Sequence, residues 1–94
     1  MKFYEWDDKK NEWLMRERGI SFEFIKECIE SGRMVANVPN HPPYEHQKVF
    51  HVLVDEYIYE VPYVEEGNKI FLKTAYPSHE VTKRFRNSNQ NDKQ

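Results

Sequence analysis

Two short helical stretches, each bracketed by its own start and stop signals, constrain this chain most. Asp7 precedes the first, Gly19 closes it, and Ser21 opens the second. Asp and Ser side chains accept hydrogen bonds from first-turn N–H groups that have no partner inside a helix, and glycine supplies the left-handed residue that ends one. The pattern predicts a helix from Asp7 to about Arg18, stopped at Gly19, with Ile20 packing back on its last turn. A second helix follows, capped by Ser21 and ending at Gly32. Glu23 sits favourably at its positive end. Phe22, Ile25, Cys28 and Ile29 share one face of it, and that face must be hidden against another layer.

The layer is predicted by the rest of the chain. Residues 2–6 alternate in polarity and read as a strand. Met34 to Val38 reads as a short strand, and Pro39-Asn40-His41-Pro42-Pro43 as a loop. Lys48 to Val54 is a β-rich run, with Asp55-Glu56 as its turn. Tyr57 to Val64 sets Tyr57, Tyr59, Val61 and Tyr63 on one side and Ile58, Glu60, Pro62 and Val64 on the other. Pro62 argues for a bulge or an edge position. Glu66-Gly67-Asn68 turns into a last strand, Ile70 to Tyr76, and Pro77-Ser78 opens a short basic helix through about Arg86. The fold expected is α+β: an antiparallel sheet made of an N-terminal strand plus a four-strand meander. Two N-terminal helices cover one face, a short C-terminal helix follows, and the other face stays at least partly open. Residues 1–86 form one domain. Asn87 to Gln94 has no apolar side chain and reads as a disordered polar tail.

Composition narrows the function. Ninety-four residues make a single small core. The one cysteine, Cys28, excludes an internal disulfide and reads as a buried, inert thiol. No apolar run is long enough to span a membrane and no signal-peptide pattern is present, so a cytoplasmic protein with no membrane partner is expected. The formal net charge is −2, so the chain as a whole is no basic nucleic-acid binder. From Lys69 to Gln94, however, six basic residues (Lys69, Lys73, Lys83, Arg84, Arg86, Lys93) face two acidic ones (Glu80, Asp92). That local excess suits a phosphate-facing patch.

Glu5-Trp6-Asp7, Lys10, Gly19 and Ser21-Phe22-Glu23, followed by a sheet and the strand and basic helix of Ile70 to Arg86, resemble the BrnT family over most of residues 3–86. BrnT proteins are ribonuclease toxins of bacterial type II toxin–antitoxin pairs, related to the RelE-like toxins. The chain departs from that pattern where members commonly carry Asn (here Leu14), His (here Arg18) and, near the last strand, Arg (close to His79). The resemblance implies metal-independent cleavage of RNA by its own 2′-hydroxyl, without a cofactor. It also implies a cognate antitoxin, of ribbon-helix-helix type, that blocks the site, and contact with operator DNA through the antitoxin complex. If the family Arg serves the phosphate, His79 must replace it.

Such cleavage needs a base for the hydroxyl, cations for the phosphate and an acid for the leaving oxygen. The catalytic candidates are His46, Lys48, Lys73 and His79. The RNA-binding candidates are Lys83, Arg84 and Arg86. If Lys48 and Lys73 share a face, with Glu60 between them in sequence order, they form a charged stripe; a merely solvated sheet face fits the same pattern. His41, His46 and His51, with Glu45, invite a metal reading, but their spacing is not that of a zinc site, and no metal is expected. His51 reads as a half-buried, hydrogen-bonded strand residue. The alternative to a toxin is a non-catalytic protein- or nucleic-acid-binding module of the same fold, an antitoxin-bound regulator.

Overall fold

The computed structural model describes residues 2–92. Along the chain run β1 (Phe3–Trp6), α1 (Asp8–Arg18), α2 (Phe22–Glu30), β2 (Met34–Pro39), β3 (Lys48–Val54), β4 (Tyr57–Glu66), β5 (Lys69–Leu72), β6 (Tyr76–Pro77) and α3 (His79–Asp92). The α+β architecture is the one the sequence predicts.

The helix signals act as expected. Asp7 accepts from Lys10 N at 3.2 Å, Gly19 takes a left-handed φ of 66°, and Ser21 Oγ accepts from Phe24 N at 3.1 Å. One residue ties the two helices together. Asn11, 6% exposed, accepts from Phe22 N at 2.7 Å and donates to Glu23 Oε1 at 2.8 Å. A first-turn N–H of α2 and an acidic side chain at its start are thus both satisfied from α1.

The sheet order is β1-β5-β4-β3-β2, with β6 also pairing β4. From β2 to β5 it is an antiparallel meander. β1 differs from the expected antiparallel arrangement: it lies parallel to β5, with Phe3 opposite Lys69 and Trp6 opposite Leu72. The two-helix crossover from β1 returns the chain on the far side of the sheet, which leaves the first strand running alongside β5. Pro62 also differs from expectation, since β4 is a central strand. Its carbonyl accepts from Lys73 N at 2.8 Å. N–H and C=O of one strand residue point to the same side, so the proline nitrogen faces residues 73–75, between β5 and β6, and forfeits no ladder bond to β3.

The two sheet faces are distinct. Phe50, Val52 and Val54 of β3, Val61 and Tyr63 of β4, and Ile70 and Leu72 of β5 form the core with Leu14, Ile20, Phe22, Ile25 and Cys28. Phe50 and Tyr63 stack with centroids 3.9 Å apart, and Trp6 stacks on Phe22 at 5.7 Å. Burial pushes the Cys28 thiol up, away from the reactive thiolate. α3 covers one end of the opposite face. Thr82 Oγ1 accepts from Ile58 N at 2.8 Å and donates to Ser78 O at 2.6 Å, and both Thr82 and Ile58 are buried. α3 continues to Asp92, past the expected helix end at Arg86. Lys93 and Gln94 lie outside the described residues.

Replacing Asn11 with Ala removes both bonds and leaves the buried Phe22 N–H without its partner. The expected cost is about 1–3 kcal/mol, read as a lower urea midpoint with an unchanged slope. An unaltered midpoint would show that the helices dock without this clamp.

Candidate functional site

The β3–β4 hairpin builds the site. Val54 pairs with Tyr57 across the Asp55-Glu56 turn, where Asp55 takes a left-handed φ of 58°. Counting back from that turn sets His51 opposite Glu60. Both side chains alternate away from the core, onto the face that α3 partly covers. His51 Nε2 stands 3.8 Å from Glu60 Oε1, an ion pair once the imidazole is protonated. A cavity of about 500 Å³ opens over them; His41, Ser78, Glu80 and Arg84 also contribute to its walls. Loop residues 40–47, the sheet and the first turns of α3 thus meet there.

Burial lowers the His51 pKa below its ordinary 6.5; Glu60 opposes the shift and Arg84 adds to it. A neutral imidazole in the neutral pH range is a proton acceptor. Beside it lie a carboxylate that can stabilise its charged form and a guanidinium that can hold an oxyanion.

The sequence-derived candidates divide among several places. Arg84 joins the His51 cavity. His79, Lys83 and Arg86 line another depression, with Thr82 and Asn87. His79 Nδ1 lies 3.4 Å from Tyr57 Oη, and Arg86 donates to Glu56 O at 3.0 Å. Lys48 and Lys73 do not make a stripe. Lys48 pairs with core-facing Tyr63 and lies near Glu65 on the helix-covered side. Lys73 is on the opposite side, with its ammonium 5.1 Å from the Phe71 ring. His46 is exposed in the loop before β3. In sequence His51 is weighed with His41 and His46, and Glu60 with Lys48 and Lys73, but the two not with each other. The signal that pairs them is the hairpin count from Asp55-Glu56, together with an ionisable side chain in each of two apolar strand rows.

Among the described residues no group of three His, Cys, Asp or Glu side chains is arranged to hold a metal ion. No helix among them is long and apolar enough to cross a membrane.

The chain belongs to a family described as a domain of unknown function (DUF4258), whose model matches residues 14–77. The match includes His51 and Glu60 and stops short of α3, so Arg84 lies beyond it. No curated protein matches the chain, and no solved structure does.

The lowered His51 pKa has a consequence for stability. The unfolded chain binds a proton more readily at this residue, so stability rises with pH across that window. The contribution is complete above the ordinary value of 6.5 and is lost as pH falls through the folded value. Thermal melts of wild type and His51→Gln, at about pH 7 and about pH 5, should show a smaller drop on acidification for the variant. Equal drops would place the acid sensitivity elsewhere.

Proposed function

We propose that this protein is a BrnT-like toxin: a RelE-type, metal-independent ribonuclease held in check by a cognate antitoxin, RNA being its substrate. The observation that carries the reading is the neutral His51 set between Glu60 and Arg84 in a cavity on the sheet face away from α1 and α2. The β-α-α-meander-α order agrees with it, as does the basic ridge His79–Lys83–Arg86 on the neighbouring side of α3.

In this reading His51 Nε2 takes the proton of a 2′-hydroxyl as that oxygen attacks the adjacent phosphorus. Glu60 stabilises the imidazolium that results. Arg84 holds the non-bridging phosphate oxygens and the charge that builds on them. The P–O5′ bond breaks, and in this reading His41, which also lines the cavity, gives a proton to the leaving oxygen. The products are a 2′,3′-cyclic phosphate and a 5′-hydroxyl. This assignment replaces His46 and Lys48 of the sequence-derived catalytic set, gives His79 a phosphate-binding role, and sets Lys73 at the neighbouring compartment.

A second reading is a non-catalytic binding module of the same fold, regulating nucleic acid through its antitoxin complex. The 3.8 Å between His51 and Glu60 favours it, being longer than the hydrogen bond an orienting carboxylate usually makes. Induced expression of the chain alone in a bacterium should arrest growth and shorten bulk RNA. Purified protein should cut RNA in the presence of chelator, and His51→Ala should lower the rate by roughly 10²–10⁴-fold. Normal growth at high soluble expression, with RNA bound but uncut, would leave the binding module.

A further inference from the structure

A second cavity adjoins the first and holds different chemistry. It has a volume of about 500 Å³ and lies between residues 40–47 and residues 73–76. Asn40 and His41 line both cavities, so the two are neighbouring compartments of one groove. Tyr44, 53% exposed, and Tyr76 bring two phenol rings to it from separate segments. Gln47 and Asn40 bring two amides, Asn40 Nδ2 donating to Gln47 Oε1 at 3.2 Å. Their backbones are joined as well, Asn40 N donating to Gln47 O at 3.1 Å. Asn40 Oδ1 accepts from His41 N at 2.8 Å.

These bonds use one oxygen of each amide and one N–H of Asn40. Gln47 uses its Oε1 toward Asn40, and since no buried side-chain nitrogen or oxygen among the described residues lacks a partner, its Nε2 is not sealed in the core but opens toward solvent and the cavity. Lys73 lines the same cavity. A purely apolar ligand would leave the amides unmatched, and a bare anion would not use the rings. Rings, spare amide donors and one ammonium together suit a flat heterocycle attached to a phosphate.

We propose that this compartment is a nucleobase subsite for the nucleotide next to the bond held at His51 and Arg84; the inference rests on the ribonuclease reading. Tyr44 and Tyr76 offer the stacking surface. Gln47 and Asn40 donate to the base edge, and Lys73 meets the phosphate. Because the spare polar hydrogens are donors, the carbonyl edge of uracil or guanine fits better than the amino edge of adenine.

The test is fluorescence anisotropy with the full chain and uniform oligonucleotides of about eight nucleotides, 2′-O-methylated so that no cleavage occurs. Wild type, Tyr44→Ala, Gln47→Ala and Arg84→Ala are compared, each checked by circular dichroism. Tyr44→Ala should weaken binding roughly tenfold with the salt dependence unchanged. Gln47→Ala should erase the preference for uracil over adenine, and Arg84→Ala should flatten the salt dependence. Tyr44 is exposed, so its variant reports even if Gln47→Ala does not fold. Wild-type binding by folded Tyr44→Ala, with binding by Arg84→Ala weakened, would overturn the subsite and leave the ribonuclease reading standing. Failure of the wild type to bind any of these RNAs would overturn both.

Discussion

The register of the β3–β4 hairpin is the constraint on which the rest depends. In a strand successive side chains alternate between faces, so a slip of one residue would exchange the two sets completely. With Val54 opposite Tyr57, the rows Phe50–Val52–Val54 and Val61–Tyr63 meet α1 and α2, and His51 and Glu60 meet each other on the far side. In the slipped register the Phe50 row and the Tyr63 row could no longer share a face, so one of them would turn to water and His51 and Glu60 would part. The apolar burial that stabilises the fold therefore also enforces the His51–Glu60 pairing, although neither residue belongs to that core.

The helix limits were legible because their causes are local: Asp7, Gly19 and Ser21 act on backbone groups a few residues away. The meander was legible because two of its three connections, Asp55-Glu56 and Gly67-Asn68, are two-residue turns. The parallel pairing of β1 was not, since its partner lies at the other end of the domain and nothing in residues 3–6 encodes it. Pro62 misled for a related reason. A proline excludes a ladder bond on one side of a strand, and the break between β5 and β6 that accommodates it is a tertiary feature. Asn11 carried no signal in the sequence, because its two partners, Phe22 N and Glu23, meet it only when α2 docks. Of the site, Arg84 was found through local charge, whereas the cavity around it depends on three segments meeting.

α3 sorts its basic residues by helical spacing. His79, Lys83 and Arg86 fall three and four residues apart and form one ridge, while Arg84 lies with Glu80 and Val81 toward the sheet. A chain with net charge −2 thereby presents cations locally, and on two sides of one helix. The Thr82 bonds to Ile58 and Ser78 set the rotation of that helix, and so decide which cation faces His51.

The parallel pairing of β1 with β5 has a consequence for synthesis. The first strand finds its partner at Lys69–Leu72, so the sheet closes only after that segment has left the ribosome. Arg84 emerges later still. A nascent or prematurely terminated chain that ends before β5 carries both helices and the His51 hairpin, yet lacks the strand that joins the N-terminus to the sheet and the guanidinium that completes the cavity. Non-local closure of this kind makes folding slow relative to helix formation, and it ties assembly of the His51–Glu60–Arg84 cluster to synthesis through α3.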